Sequence, residues 1–339
     1  DRASVLPDVC PDEPAQIQYT SGTTGFPKGA VLAHRSLTNN ARFYAKRALA
    51  TPDSTWANFM PMFHTSGCGM ISLGCLQFGC KMVLFKLFDP AAILRIIESE
   101  HITGMLGVPT MLVALLESLS VEPADVSSVE MVVSGGAMVA PELVRNIQHA
   151  FDCKFETVYG QTETSPLITQ HHAEDSIDDI CSTVGQPMPQ TSVSIRSIEE
   201  NKVVPFDTVG EICVQGYCNM IEYHANVQAT AETIDKQGWL HTGDLGTMDS
   251  RGYVGVTGRV KEMIIRGGEN MFPAEIENVL LEHPTVLEVA VVGLPDDKWG
   301  EIVACFVRAA TVEAIDPQDL HTHCRQNMSP QKTPALWFQ

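Results

Sequence analysis

Short apolar runs alternate with amphipathic segments over the first 160 residues. Runs rich in apolar or β-branched residues predict strands, at residues 17–20, 30–33, 56–61, 81–85, 102–106, 129–133 and 155–158. Apolar residues at helical spacing predict helices, at residues 36–48, 66–76, 89–100, 109–119 and 141–151. Because strands and helices alternate, we predict an α/β fold of wound parallel sheets with flanking helices, and sites at the carboxyl ends of the strands.

The pattern changes in the second half of the chain. Residues 171–179 are acidic and irregular, which predicts a surface loop. Short strands at 193–195, 211–214 and 253–256 then predict a small β-rich subdomain over residues 184–257. In the last third of the chain, the apolar pattern predicts a compact α+β module. Its helices are expected at 274–281 and 316–328 and its strands at 286–292 and 302–307.

Composition narrows the class of protein. Of the 339 residues 44% are hydrophobic and 19% are charged, which is ordinary for a globular protein. The net charge of −19 argues against a nucleic-acid surface, because no basic stripe is available to bind phosphates. The ten cysteines form no C-x-x-C pair, which indicates reduced thiols and neither a disulfide framework nor a zinc site. With no signal peptide and no apolar run long enough to span a bilayer, we expect a cytoplasmic protein.

Residues 17–30 read I-Q-Y-T-S-G-T-T-G-F-P-K-G-A and form the most distinctive polar stretch. Glycines let backbone N–H groups turn toward an anion, hydroxyls donate hydrogen bonds to phosphate, and lysine supplies charge. This stretch therefore predicts a nucleotide-phosphate loop, with a polar inter-strand loop as the alternative. It is not a Walker A loop, because Gly29 follows Lys28 where Ser or Thr is required. The candidate phosphate-binding residues are Thr20, Ser21, Gly22, Thr23, Thr24, Gly25 and Lys28.

Five further segments carry polar or glycine residues at the ends of predicted strands. They read M-F-H-T-S-G at 62–67, S-G-G-A at 134–137, Y-G-Q-T-E-T at 159–164, W-L-H-T-G-D at 239–244, and G-R-V-K-E at 258–262 continued by M-I-I-R-G-G-E-N. Each alone has an ordinary structural explanation. His64 suits a structural histidine, Glu163 a carboxylate at a helix start, and Asp244 a turn before a strand.

Together, and in this order, the six segments resemble those of the adenylate-forming superfamily. That family includes acyl-CoA synthetases, firefly luciferase and the adenylation domains of peptide synthetases, and the resemblance extends from residue 19 to about residue 334. It implies that Thr162 contacts the α-phosphate of ATP and that Glu163 helps to hold Mg²⁺. Tyr159 and Gly160 would cover the adenine, Asp244 would bind the ribose, and Arg259 would reach the ribose or the phosphates.

The same resemblance implies a large N-terminal AMP-binding domain over residues 1–260 and a small mobile C-terminal domain over 261–339, both incomplete. Lys261 corresponds to the hinge between them, and Gly267 with Gly268 to a loop that lines the pantetheine tunnel. The resemblance, or the small size of a side chain, assigns six residues to the pocket for the substrate acid. They are His64, Gly67, Cys68, Gly135, Gly136 and Ala137. For Gly67 and Cys68, room for an acyl tail and close helix packing are equal alternatives.

We therefore predict an acid–thiol ligase that uses ATP and Mg²⁺ to form an acyl-adenylate and passes the acyl group to CoA. Lys28, Thr162, Glu163 and Arg259 are the predicted catalytic residues. His64 has no aspartate beside it to bind an amine, which favours a plain carboxylic acid, and the small residues favour a medium- or long-chain fatty acid. A carrier-protein thiol as acceptor, and a catalytically incomplete nucleotide-binding fragment, are the alternatives.

The fragment hypothesis has two grounds in the resemblance. Family members carry a region ahead of the phosphate loop, and they carry a lysine in a G-K pair beyond the stretch like 328–334. We assign that role to no residue here, because Lys332 stands too early in the chain. On this hypothesis the 339-residue chain forms adenylate poorly.

Overall fold

A computed structural model describes residues 8–20, 27–137, 139–309 and 315–339, and within them it confirms the α/β class. The strands are β1 (Pro14–Thr20), β2 (Lys28–Ala33), β3 (Thr55–Asn58), β4 (Lys81–Leu84), β5 (Gly104–Gly107), β6 (Met131–Gly135), β7 (Lys154–Tyr159), β8 (Thr169–Gln170), β9 (Gln186–Pro187), β10 (Thr191–Arg196), β11 (Gly210–Gly216), β12 (Glu222–Tyr223), β13 (Leu240–Met248), β14 (Val254–Arg259), β15 (Ile264–Arg266), β16 (Glu269–Met271), β17 (Val286–Asp296), β18 (Gly300–Ala309) and β19 (Leu336–Phe338).

The α-helices are α1 (His34–Arg47), α2 (Gly74–Phe78), α3 (Pro90–Glu100), α4 (Pro109–Val121), α5 (Pro141–Phe151), α6 (Ile177–Ser182), α7 (Val227–Thr233), α8 (Pro273–Leu281) and α9 (Pro317–Asn327). Five of them begin with proline at the first helical position, where the missing N–H removes no helical hydrogen bond. Asp89 is the predicted N-cap of α3, and its side chain accepts a hydrogen bond from the Ala92 amide.

The largest sheet has seven strands in the order β4-β3-β5-β6-β7-β8-β9. Strands β4 to β7 in this order are parallel neighbours, and β8 and β9 join them antiparallel. Helices α3, α4 and α5 connect the parallel strands in turn, and their apolar stripes are buried at residues such as Ile97, Leu112 and Ile147. The central strands β5 and β6 are buried at every residue, which fits the continuous apolar run at 129–133 that predicted β6.

The smaller sheets have the orders β1-β2-β12, β10-β11-β13-β14 and β16-β15-β18-β17, with β19 pairing with β18. The contacts between Cα atoms divide the chain into two compact units. The first comprises Asp1–Ser194, Cys213–Thr242 and Met248–Gly255, and the second comprises Ile195–Ile212, Gly243–Thr247 and Val256–Gln339. The predicted boundary after residue 260 between functional domains stays a prediction.

Two local predictions are confirmed in outline and differ in detail. Residues 172–176 are irregular and mostly exposed, as expected of a surface loop, but His171 is fully buried between the hydroxyls of Thr157 and Thr183, at 2.7 and 2.9 Å, and α6 begins within the segment. The predicted helix 66–76 is helical, as a π-helix over Ser66–Leu73 followed by α2. Polarity misled the first prediction at His171, because hydroxyl partners inside the fold satisfy the imidazole.

Two further expectations concern the state of the cysteines and the presence of membrane-spanning helices. All ten cysteines are free, and five of them are buried, so the core position expected for most of them holds for half. Among the described residues, no helix combines the length and the apolar character needed to cross a bilayer.

Candidate functional site

The turn that follows β7 carries the Y-G-Q-T-E-T segment and is held in one conformation by close packing. A Cβ atom at Gly160 would lie 2.0 Å from the carbonyl oxygen of Pro166, so only glycine fits at that position. A short 3₁₀ turn over Thr162–Thr164 follows. The side chain of Asn40, on α1, donates to the carbonyl of Leu167 at 3.0 Å and ties the returning chain to the helix.

Glu163 lies in this turn with only 9% of its surface exposed. Its Oε1 accepts a hydrogen bond of 2.6 Å from the hydroxyl of Tyr223, and its backbone carbonyl accepts one of 2.7 Å from the Met220 amide. The carboxylate is therefore fixed by the segment that leads into β12. Mg²⁺ prefers carboxylate oxygens and keeps several waters, so one buried carboxylate of this kind fits it together with nucleotide phosphates.

Lys28 is the first residue of β2, and its Nζ lies 5.0 Å from the centre of the Tyr223 ring. Strand β12 pairs with β2 in a register that places Tyr223 opposite Ala30. One tyrosine therefore contacts both Lys28 and Glu163, two predicted catalytic residues that are far apart in the sequence. This ring was not predicted, since β12 is two residues long and no motif marks it.

Thr20 ends β1 directly opposite Lys28 in the β1–β2 pairing. The remaining predicted phosphate-loop residues lie outside the described residues, namely Ser21, Gly22, Thr23, Thr24 and Gly25. The two ends of the loop are thus described, and its phosphate-binding role stays a prediction.

Tyr159 and Thr162, the predicted adenine and α-phosphate contacts, are both half-buried on either side of Gly160. Tyr159 pairs with Thr169 of β8 and ends β7. The backbone carbonyl of Thr162 accepts a hydrogen bond of 3.1 Å from the Ser165 amide. Both residues belong to the same turn as Glu163, and their nucleotide contacts stay predictions.

His64 is exposed, and its Nδ1 lies 2.8 Å from the Ser66 hydroxyl and accepts from the Ser66 amide at 3.2 Å. Partial desolvation by neighbouring atoms lowers the pKa of His64 below its ordinary value, although the ring keeps solvent contact. Gly67 is buried, and a Cβ there would lie 2.5 Å from the carbonyl oxygen of Pro61, which favours the packing explanation for this glycine. Cys68 is half-buried and accepts a hydrogen bond from Gln16 at 3.6 Å.

Gly135 is the last residue of β6, the neighbour of β7, and Gly136 begins the turn that follows. A Cβ at Gly135 would lie 2.5 Å from a methyl group of Val158, so close strand packing explains this glycine. Gly136 has φ of +80°, a left-handed conformation that favours glycine. Gly136 and Ala137 are exposed at the carboxyl edge of the sheet, where α/β folds place their ligands.

The second compact unit carries the remaining predicted residues. The Arg259 guanidinium lies 3.3 Å from the carboxylate of Asp244, which is 15% exposed at its side chain. Lys261 is exposed in a 3₁₀ turn after β14. Gly267 and Gly268 connect β15 to β16 with φ of +61° and +84°, as the predicted glycine turn requires. Within this unit, Asp244 and Arg259 are therefore brought together.

The comparisons with known proteins agree with these motifs. The family model described as AMP-binding enzyme matches residues 2–224, and the model of its C-terminal domain matches residues 275–337. The human mitochondrial medium-chain acyl-CoA ligase ACSF2 is 36% identical over 95% of this chain and 53% of its own length. The chain spans between about half and three fifths of the length of the curated relatives that it matches.

Two solved structures show the same architecture. The structure of ATP-bound MatB from Rhodopseudomonas palustris superposes on this chain with a TM-score of 0.91 and 30% sequence identity. The match covers 99% of this chain and 66% of the MatB chain. The o-succinylbenzoate CoA synthetase MenE of Bacillus subtilis, in complex with ATP and magnesium ion, has a TM-score of 0.85 and 30% identity over 97% of this chain and 66% of its own. The chain therefore belongs to the AMP-binding enzyme family.

Proposed function

We propose that this chain provides most of an AMP-forming acyl-CoA synthetase, which activates a carboxylic acid with ATP and transfers the acyl group to CoA. One observation carries the proposal. Tyr223 contacts the Lys28 ammonium at the start of β2 through its ring and the buried Glu163 carboxylate in the turn after β7 through its hydroxyl. A cation and a hard-metal ligand that share one neighbour suit a bound triphosphate.

The proposed chemistry begins with attack of the substrate carboxylate on the α-phosphorus of ATP, which releases pyrophosphate. Lys28 would stabilise the leaving phosphates by its charge, and Thr162 would donate to the α-phosphate. Glu163 would hold Mg²⁺, which supplies positive charge to the phosphate oxygens when bound. Asp244 would accept hydrogen bonds from the ribose, and Arg259, which lies beside it, would contact the ribose or the phosphates.

The proposed substrate is a medium- or long-chain fatty acid. The relative ACSF2 is named a medium-chain acyl-CoA ligase, and the segment His64-Thr65-Ser66 contains no aspartate that could bind an amino group. Cys68 remains the proposed contact to the acyl tail, because close packing accounts for Gly67. Replacing Cys68 with Trp should shorten the preferred chain, and an unchanged chain-length profile would reject this assignment.

The acceptor and the compartment are proposals as well. We propose CoA as acceptor, since the named relatives are CoA ligases, with a carrier-protein thiol as the competing outcome. We also propose that rotation about Lys261 brings Gly267 and Gly268 to the adenylate. A cytoplasmic compartment stays a prediction, because ACSF2 is mitochondrial.

Acid-dependent ATP–pyrophosphate exchange tests the proposal, with a panel of fatty, aryl and amino acids and with hydroxylamine trapping of the adenylate. We expect exchange with fatty acids and a loss of exchange in Glu163→Gln. Exchange with amino acids alone would contradict the substrate class. Mg²⁺-dependent ATP binding without exchange for any acid would support the alternative, a nucleotide-binding fragment that does not form adenylate.

A further inference from the structure

We propose that Tyr223 is a positioning residue for the nucleotide site, which aims the Glu163 carboxylate at Mg²⁺ and keeps Lys28 in place before the triphosphate binds. The inference rests on the proposed function, because it assumes that these two residues meet Mg²⁺ and phosphate. Tyr223 itself touches neither the metal nor the reacting atoms in this account. It acts through its two neighbours.

The hydroxyl of Tyr223 determines how Glu163 presents its charge. It donates to Oε1 at 2.6 Å, so that Oε2 is the oxygen that Tyr223 leaves for a metal ion. A carboxylate held this way loses little rotational freedom when Mg²⁺ arrives. Partners of metal-binding carboxylates commonly have this orienting role.

The ring of Tyr223 acts on Lys28. An ammonium 5.0 Å from the ring centre is attracted by the negative face of the ring, without a permanent salt bridge. A triphosphate attracts the ammonium more strongly than the ring does, so Lys28 can transfer to the nucleotide. A carboxylate partner for Lys28 would compete with the phosphates, whereas an aromatic ring does so only weakly.

The backbone around Tyr223 is itself tied to the start of β2. The Tyr223 amide donates to the Thr230 hydroxyl at 2.9 Å, and the next amide, of His224, donates to the Gly29 carbonyl at 2.7 Å. Gly29 directly follows Lys28. The position of the Tyr223 side chain is therefore fixed relative to the lysine by the β2–β12 pairing and relative to the turn after β7 by the Glu163 hydrogen bond.

The fold contains a second tyrosine with the same pair of contacts, which serves as a matched control. The hydroxyl of Tyr253 donates to the Asp175 carboxylate at 2.7 Å, and the Arg251 guanidinium lies 4.7 Å from its ring centre. Neither Asp175 nor Arg251 belongs to the candidate site. A Tyr253→Phe variant removes the same kind of hydrogen bond elsewhere in the same compact unit.

The test is ATP binding by the 339-residue chain as a function of Mg²⁺ concentration. For Tyr223→Phe we expect the half-saturating Mg²⁺ concentration to rise by about 10-fold, with Mg²⁺-free ATP affinity nearly unchanged, because the ring still supports Lys28. Tyr223→Leu should also weaken Mg²⁺-free ATP binding. Tyr253→Phe should match wild type in both measurements, and its melting temperature shows what loss of such a hydrogen bond does to stability alone.

A double-mutant comparison shows whether Tyr223 acts through Glu163. In a Glu163→Gln background, Tyr223→Phe should have no further effect on the Mg²⁺ dependence. Wild-type Mg²⁺ dependence in Tyr223→Phe, or an undiminished effect in the Glu163→Gln background, would overturn the inference while leaving the proposed function intact. No Mg²⁺-dependent ATP binding by wild type would overturn both.

Glu163→Asp provides a second test if Tyr223→Phe does not fold, because the shorter side chain withdraws the carboxylate from the Tyr223 hydroxyl. This variant should need a higher Mg²⁺ concentration for half-saturation. An unchanged Mg²⁺ requirement would overturn the inference.

Discussion

Two buried glutamates, Glu156 inside β7 and Glu163 in the turn after it, lie seven positions apart and differ in almost every physical respect. Glu156 is fully buried, and its Oε2 accepts a hydrogen bond of 2.6 Å from Gln170. Its Oε1 has no hydrogen-bond partner among the described residues. Burial raises the pKa of Glu156 to about 8, against the opposing effects of Gln170 and the Arg47 charge.

Glu163 lies at the strand's carboxyl edge, and its carboxylate is oriented by the hydroxyl of Tyr223, whose ring also faces the site lysine, Lys28. A strongly perturbed pKa often marks a functional residue, and by that criterion Glu156 would be chosen. Position in the fold decides otherwise, because Glu156 is enclosed within the sheet and Glu163 follows the strand end where α/β folds bind ligands. Burial accounts for the raised pKa of Glu156, whereas the position of Glu163 at the sheet edge accounts for its assignment to the candidate site.

The largest expected effect concerns the turn that presents Glu163. Gly160→Ala would place a Cβ 2.0 Å from the Pro166 carbonyl oxygen, a backbone atom that cannot move without displacing the turn. We expect a loss of roughly 3 to 5 kcal/mol in the free energy of unfolding. Urea denaturation would measure it, and a loss below about 1 kcal/mol would show that the turn is not fixed as described.

The next effect separates the two glutamates by activity. Glu163→Gln should lower the rate of ATP–pyrophosphate exchange by about 100-fold or more, roughly 3 kcal/mol, because the amide cannot neutralise a metal ion. Glu156→Gln should retain the exchange rate within a few-fold. Equal losses in both variants would contradict the separation between strand interior and edge.

The third effect is on stability, and its pH dependence has a defined sign. Glu156 keeps its proton in the folded state up to about pH 8, whereas its ordinary value is 4.5. The stability that the neutral form contributes is thus fully present below pH 4.5 and is lost as the pH rises through 8. Glu156→Gln stays neutral and can still accept from Gln170, so we expect it to exceed wild type by about 2 kcal/mol at pH 8.

Urea denaturation of both proteins at several pH values between 5 and 8 would check this. The stability difference between the variant and wild type should grow with pH. A difference that stays constant over that interval would mean that Glu156 does not carry a raised pKa in the folded protein.

The smallest effect compares neighbouring turns. Gly136 follows β6 with φ of +80°, and a Cβ added there would have its nearest neighbour, a methyl group of Val108, 3.7 Å away. Gly136→Ala therefore meets only backbone strain and should cost about 1 kcal/mol. Thermal denaturation beside Gly160→Ala would show the difference, and equal costs would contradict the contrast between conformational strain and steric exclusion.

Much of the fold was predictable because periodicity reports burial directly. Helix α5 begins and ends where its apolar spacing predicted, and β6 lies within the continuous apolar run and the glycine turn that it leads into. The sequence did not reveal the burial of His171, since hydroxyl partners came from distant segments. Tyr223 escaped prediction for the same reason: its importance lies in a strand pairing that only the folded chain creates.

The candidate site was predictable in its motifs and not in its contacts. The Y-G-Q-T-E-T segment identified Glu163, and the loop sequence identified Lys28, through resemblance to a family. Glu156 carried no signal, because a glutamate that follows Phe155 in a strand looks like a solvent-facing position. Its burial depends on the β8 neighbour that supplies Gln170.

The most direct test of the account is calorimetric titration of ATP, with and without Mg²⁺, into wild type, Glu163→Gln and Glu156→Gln. We expect Mg²⁺ to strengthen ATP binding to wild type and Glu156→Gln alike, and to have little effect on Glu163→Gln. Retention of the Mg²⁺ effect in Glu163→Gln together with its loss in Glu156→Gln would contradict the assignment of the metal ligand to the turn after β7.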